Sequence, residues 1–537
     1  MIPSFGGKLG KKECSERGKL LFLGGIFLFS AILLFTHLGA YSLWDDEAET
    51  ALGARGILIT GDTTAVLGHN IQARRAGINL VNLHDRLTPP LASYLTALFF
   101  RFGGENAWLA RFPFALCGLL AITQMLYYLW KEKVPSRFIF IFGLALIFQV
   151  SFFLYFRQCR YYGSSLFLAI FIFYLYLAHW RSASARVGIG LLASFLFLSH
   201  PLICVQVGAL LLFDWLVFRR REDSWQLRWL PEIGLPFLLL VLPSLFVWNP
   251  FLTKSSNYLQ DVSWLDRITL FWWNIRDSLA AEFMPASMLV LAPLAYLISK
   301  DKLILRGAMA LLVVIIVTSL LSYQRVQVTN VADVRYLLPA IPIGLALSTI
   351  TLGRLFGQFR CGWIVCLLIL GTNIGSGKIF LEGRPGSLSL TWWNELINPI
   401  EEPYSPVAQW INRNIPAESS VLVFPDYMMY PLMFHAPQAV YAWQLGNGFD
   451  QQFSNLEDIH FRGRKAPDYL IVFGPGANEL REELQALFQE RKSYHEIARV
   501  NVFWKDLYRP EVFWRTFSTI PISDSSQGIT IFQVKSL

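Results

Sequence analysis

Apolar segments recur through the first 377 residues, at about 19–38, 107–130, 138–154, 161–179, 187–199, 202–218, 230–248, 285–299, 304–322, 337–352 and 361–377. Away from water such segments satisfy their backbone polar groups only as helices or closed barrels, and their lengths suit helices. Eleven of them predict a polytopic α-helical membrane protein. A content of 54% hydrophobic and 16% charged residues is too apolar for an ordinary soluble domain and points the same way. The first segment follows Lys8, Lys11, Lys12, Arg17 and Lys19, exceeds a signal-peptide core and lacks a small-residue cleavage site, so it reads as an uncleaved span.

Charge sets the expected orientation. The segments "KEKVPSR", "RSASAR", "RRREDSWQLR", "KDK" and "RLFGQFR" fall on the side of the amino terminus, and of the nine lysines before residue 378 only Lys254 lies opposite. The positive-inside rule reads this as a cytoplasmic amino terminus and an exoplasmic carboxyl terminus. It also explains the net charge of +8 without nucleic acid, for which no basic stripe exists. "TPPLASYLTALFFRF", residues 88 to 102, is short for a span and reads as a helix on the exoplasmic interface. Two exoplasmic loops result, 39–106 and 249–284, the second flanked or filled by Trp248, Trp264, Trp272 and Trp273. Both are long enough to roof a cavity. The six cysteines Cys14, Cys117, Cys159, Cys204, Cys361 and Cys366 show no CxxC spacing, so neither a zinc or redox site nor a disulfide framework is expected.

From about residue 378 the pattern changes. "SPVAQWINRNIP" reads as a capped helix, "ANELREELQALFQER" as an amphipathic helix, and "SVLVFP", "YLIVFG" and "GITIFQV" as short strands. Residues 1–377 therefore predict a transmembrane domain, and 378–537 an exoplasmic soluble α/β domain after the linker "EGRPGSLSL".

"YSLWDDEAETALGARGI", residues 41 to 57, follows the first span and carries Asp45, Asp46, Glu47 and Glu49. Two readings compete. Ser42 or Asp45 caps a helix whose acidic first turn favours the positive end of the dipole. Alternatively, a carboxylate at a membrane surface, under a loop, is placed to take a proton from an acceptor hydroxyl.

The wider pattern decides between them. "WDDEAETALGARGILITGD", then "HDRLTPPLASYL", then "ENAWLARFPFALCGLL", with "FRQCRYYGSSLF" and "DVRYLLPAIP" further on, resembles the motif order of the GT-C superfamily. The likeness is greatest to the group of bacterial aminoarabinose transferases acting on lipid A and protein O-mannosyltransferases, and it covers about residues 20 to 350. The resemblance implies that Asp46 is the catalytic carboxylate and Glu47 its partner. It sets Asp62 of the "GD" pair, His84 and Asp85 in the substrate loop, and Tyr336 beside Arg335 in the "RYLLP" segment. Where the group carries Lys or His before "PPL", this chain has Thr88, and His84 or Asp85 stands in only if the loop folds back.

The chemistry so implied asks for a base and for cations on a phosphate. Arg157, Arg160 and Arg335 are expected at exoplasmic membrane ends with Lys254, as donor-phosphate ligands or as ordinary snorkelling side chains. His200 in "SHPL" reads as a helix-end histidine. A divalent metal stays open, its candidate ligands being Asp46, His84 and Asp85. The expected activity is transfer, by inversion, of a sugar from a polyprenyl-phosphate donor of undecaprenyl type to a glycan, lipid A or protein acceptor. Its place is the exoplasmic face of a bacterial-type inner membrane, with the carboxyl-terminal domain periplasmic. The competing classes are a lipid-linked-sugar flippase, which calls for an inverted repeat that is not evident, and an O-antigen-ligase-like transferase using a diphosphate donor.

Overall fold

The computed structural model describes residues 16–73, 77, 80–219, 229–249, 262–280, 284–322, 324, 326, 332–399, 401–441, 453–456, 465–474, 477–487, 492–503 and 526–536. The chain opens with α1 (Glu16–Phe35) and passes into α2 (Asp45–Thr60). Two tiny hairpins follow, β1 (Val66–Leu67) with β2 (Asn70–Ile71) and β3 (Leu80–Val81) with β4 (His84–Asp85). Next come α3 (Leu91–Gly103), α4 (Ala107–Lys131), α5 (Ser136–Ile147), α6 (Val150–Phe156), α7 (Tyr161–His179), α8 (Ala183–Ser199) and α9 (Pro201–Asp214), which runs on as a π turn to Arg219. The bundle is completed by α10 (Trp229–Ser244), α11 (Trp264–Ala280), α12 (Met288–Ser299), α13 (Lys302–Leu321), a 3-10 turn at Val334–Leu337, α14 (Ala340–Leu355) and α15 (Gly362–Gly371).

Helices occupy all eleven apolar segments, but eleven crossings do not follow from their dimensions. Among the described residues, five are long and apolar enough to cross a membrane, namely α1, α4, α7, α9 with its π turn, and α13. A sixth appears if α5 and α6, bent by 62° at their junction, count as one. The other apolar helices, α3 among them, have 10 to 17 residues, short of the roughly 20 that span a hydrocarbon core. The break between α5 and α6 frees the Phe148 carbonyl, which accepts a hydrogen bond from Ser389 Oγ at 2.8 Å, and it sets buried α6 across the end of the bundle.

Small residues let the helices close up around α6. A Cβ on Gly118 of α4 would stand 2.7 Å from the Phe156 ring, which therefore lies directly on the α4 backbone. Of the six cysteines, the five among the described residues (Cys117, Cys159, Cys204, Cys361 and Cys366) are free thiols, and Cys14 lies outside those residues.

Beyond residue 378 come α16 (Ile379–Glu382), α17 (Leu388–Ile397), α18 (Tyr404–Asn414), β5 (Val421–Phe424), α19 (Met429–His435), β6 (Tyr469–Phe473), α20 (Ala477–Leu487), β7 (Lys492–Phe503) and β8 (Ser526–Ser536). The sheet order is β5-β6-β8-β7, with β5 and β6 parallel and the other pairs antiparallel. β7 runs through "KSYHEIARVNVF", which the sequence reading leaves without a strand, and it bulges between Glu496 and Ala498. This part shares one hydrophobic core with the helices, in which Tyr404, Val407 and Ile531 join Trp44 and Phe114.

Candidate active site

The stretch after α1 becomes the first turn of α2, with Asp45, Asp46 and Glu47 at the positive end of the helix dipole. Neither Ser42 nor Asp45 caps it. Trp44 occupies the cap position and Glu47 Oε2 reaches back to its N–H at 3.4 Å. Ser42 is turned away because its hydroxyl pairs with Ser405 at 2.7 Å and its N–H donates to Glu402 at 3.3 Å.

Asp46 is 8% exposed and meets two guanidiniums that come from far along the chain. Arg160 Nη2 stands 3.0 Å and Arg335 Nη1 3.1 Å from the same oxygen, Asp46 Oδ2. Arg160 caps α7 and also reaches the Asp46 carbonyl at 3.1 Å and Glu49 Oε2 at 3.4 Å. Arg335 sits in the 3-10 turn before α14 and pairs with Asp333 at 2.8 Å. Burial pushes the Asp333 carboxyl upward, against the pull of Arg335. Each guanidinium lies near the ring of the tyrosine that follows it, 5.5 Å from Tyr161 and 5.3 Å from Tyr336, an arrangement in which the ring face favours the cation. Gln206 of α9 holds the Tyr336 carbonyl at 2.7 Å and Thr318 at 2.8 Å.

Glu47 is differently placed. Fully buried, it takes Arg111 of α4 in a fork, Nε to Oε1 at 2.8 Å and Nη2 to Oε2 at 2.6 Å, and accepts the Cys159 N–H at 2.8 Å. Arg111 then donates to the carbonyls of Leu38, Tyr41 and Ser42 at 2.8 to 3.0 Å. The pair thus ties the end of α1, the start of α2, α4 and the α6–α7 turn into one knot directly under Asp46.

Arg157 faces away from this cluster. Its Nη1 and Nη2 donate to the carbonyls of Leu33, Leu34 and Thr36 at 2.8 to 2.9 Å, closing the carboxyl end of α1, where helix carbonyls lack intrahelical partners. A small cavity of about 40 Å³ opens between Arg157, Arg111, Glu47, Tyr41 and Trp392.

The loop residues gather at the other end of α2. That helix has 16 residues, so Asp62 lies about 24 Å along its axis from Asp46. Gly61 ends the helix with a φ of +82°, a conformation that glycine adopts without strain. Asp62 then receives Arg86 in a fork at 2.7 and 2.6 Å, which holds its carboxyl below the usual carboxylate range. His84 Nε2 stands 3.7 Å from Asp62, and Asp85 Oδ1 accepts from the N–H groups of Leu87 and Thr88 at 2.9 and 3.0 Å, shaping the turn into α3. Among the described residues no group of three His, Cys, Asp or Glu side chains is placed to hold a metal ion, Asp46, His84 and Asp85 included. Lys254 lies outside the described residues, as do 250–261 and 281–283 of the second loop.

Residues 88–248 match the family model described as dolichyl-phosphate-mannose-protein mannosyltransferase, a glycosyltransferase family. Two solved structures share the fold over nearly the whole chain: ArnT from Cupriavidus metallidurans in the apo state (TM-score 0.60) and the same protein bound to undecaprenyl phosphate (TM-score 0.58). Each is 13% identical, with 96% of this chain and 98% of the other covered. The fold is GT-C. No curated protein matches the chain by sequence.

Within this GT-C fold, three of the expected residues converge from separate motifs: Asp46, Arg160 and Arg335, with Tyr336 next to the last. The sequence reading passes over Arg111 and takes Glu49 only as part of an acidic first turn, although both lie inside quoted motifs. The signal for Arg111 was an arginine in the first turns of an apolar span, where a cation is tolerated only with a partner. Nothing in the local sequence marks Glu49 as a partner of Arg160, because that pairing depends on Arg160 folding over α2.

Proposed function

We propose that this chain is a polyprenyl-phosphate-sugar glycosyltransferase with Asp46 as its base and with Arg160 and Arg335 as ligands of the donor phosphate. The carrying observation is the sharing of one carboxylate oxygen between those two guanidiniums, at 3.0 and 3.1 Å. Without donor, Asp46 bridges both cations, which also pair with Glu49 and Asp333. A donor phosphate brought to them competes for the same N–H groups, since guanidinium forks suit phosphate and carboxylate alike. Asp46 is then released toward the acceptor at the moment the donor arrives.

In the transfer, the acceptor hydroxyl oxygen forms a bond to the anomeric carbon, and the bond from that carbon to the phosphate oxygen breaks with its electron pair. Asp46 takes the hydroxyl proton and polyprenyl phosphate leaves with its charge on the two arginines. A single displacement inverts the anomeric centre. Glu47, saturated by Arg111 and Cys159, serves in this reading as a positioning residue that fixes the first turn of α2. The same reading makes α1, α4, the α5–α6 pair, α7, α8, α9, α10, α12, α13, α14 and α15 the eleven membrane-crossing elements. Residues 1–377 form the catalytic domain, and 378–537 an α/β domain on the exoplasmic, periplasmic side.

The test is sugar transfer from a purified polyprenyl-phosphate sugar in detergent by Asp46→Asn. The amide keeps the shape and removes the proton affinity, so transfer falls by roughly 10²–10⁴-fold while donor binding persists. Asp45→Asn is the control and retains activity. Full transfer by Asp46→Asn, or equal losses in both variants, overturns the assignment.

A further inference from the structure

His200 occupies the break between α8 and α9, and its backbone is fully used: its N–H donates to the Leu196 carbonyl at 2.7 Å and its carbonyl accepts from Cys204 at 3.1 Å. Its ring lies between two tyrosines, with centroids 4.4 Å from Tyr161 and 5.5 Å from Tyr336. These are the residues that directly follow Arg160 and Arg335. Its Nδ1 is buried and has no hydrogen-bond partner among the described residues. A ring that only filled the space between two tyrosines would do so better as phenylalanine, since a buried nitrogen without a partner is destabilising. Burial first, and then the charges of Arg335 and Arg160, work against a protonated ring. Two neighbouring cations disfavour a third, so the imidazole stays neutral and offers one N–H and one lone pair. Gln206, one and a half turns further along α9, grips the Tyr336 carbonyl at 2.7 Å and so holds the Arg335 turn in register with His200.

We propose that His200 is a third donor-binding group, giving a ring N–H to a phosphoryl oxygen of the polyprenyl phosphate held by Arg160 and Arg335. The proposal rests on the function argued above and adds a residue to it. A neutral donor beside two cations adds directionality to a phosphate site without adding charge that Asp46 would have to balance. The unpartnered nitrogen is the empty half of that hydrogen bond.

The experiment compares binding of undecaprenyl phosphate and of undecaprenol, which has the same tail and no phosphate, to the full-length protein in detergent. His200→Phe keeps the aromatic stack and should bind undecaprenyl phosphate about tenfold more weakly, with undecaprenol unchanged and the melting temperature level or raised. His200→Asn, whose amide N–H falls near Nδ1, should recover most of that loss, and His200→Leu serves the same comparison should the larger ring not fit. Equal undecaprenyl phosphate binding by parent and His200→Phe overturns the role of His200 alone. Equal weakening toward both lipids overturns it too, since the ring would then pack the tail. A parent protein that does not prefer undecaprenyl phosphate to undecaprenol overturns the donor reading itself, and this proposal with it.

Discussion

Arg111 shows how a buried charge is tolerated in this bundle. Its five donors serve Glu47 and three carbonyls, so neither partner is left bare. Arg111→Met should cost about 3–5 kcal/mol, because it strands a buried carboxylate, whereas the double variant Glu47→Gln with Arg111→Met should recover a large part of that stability. Unfolding curves in detergent check both. The Asp62–Arg86 fork makes a prediction about pH. Asp62 has its folded pKa lowered by Arg86, so the stability it contributes is present above the ordinary unfolded value near 3.9 and is lost as pH falls through the lower folded value. Asp62→Asn should therefore melt below the parent at pH 7, by at most about 1 kcal/mol given the partial exposure. The two proteins should converge as the pH drops below about 3.9. A constant gap across that range would show that the fork does not depend on charge.

At the scale of elements, the site depends on two short structures that no hydropathy pattern announces. Buried α6, with Arg157 at its end closing α1, places Arg160 one turn later at the head of α7. The 3-10 turn at Val334–Leu337 does the same for Arg335. α6 leaves no spare room against α4, since a Cβ on Gly118 would meet Phe156 at 2.7 Å. Gly118→Ala should therefore push α6 outward and cost about 1–3 kcal/mol, as overpacking usually does. Because Arg160 shifts with α6, donor affinity should fall along with stability. Loss of stability without any change in donor binding would show that the α6–α7 turn is positioned independently of that contact.

Across the whole molecule, the part after residue 378 grips the loop that carries Asp46. Leu43 donates its N–H to His435 Nε2 at 3.1 Å, Arg55 reaches the carbonyls of Met433 and Phe434 at 3.4 and 3.2 Å, and Asn70 receives the Tyr441 N–H at 2.8 Å. Burial, with Arg111 and Arg55 nearby, lowers the His435 pKa to about 4, so that contact is made by a neutral ring at physiological pH. These bonds place residues 401–441 on the Asp46 side of the bundle. A periplasm-active reporter fused after Leu537 should therefore be active and a cytoplasm-active one silent. The opposite pattern would overturn both the topology and the exoplasmic placement of Asp46.

How much of this was written in the chain follows from the range of each interaction. Apolar runs dictate helices because the backbone must bond to itself in lipid, so every apolar segment became a helix. Gly61 of "GD" ends α2 in the structure because glycine takes a positive φ without strain. Asp46 stood out through its motif, and Arg160 and Arg335 as arginines in expected exoplasmic turns. Whether the shorter apolar helices cross was not legible, since their 10 to 17 residues leave the answer to neighbours and tilt. Nor was the division of labour between neighbours in sequence. Asp46 and Glu47 are adjacent carboxylates on one turn, yet consecutive helical residues face directions about 100° apart. One therefore meets Arg160 and Arg335 while the other meets Arg111. Arg157 and Arg160 part in the same way, the first to the end of α1 and the second to Asp46. Local rules determined which segments become helices and that an acidic turn follows the first of them, and only packing decided which cation each carboxylate would find.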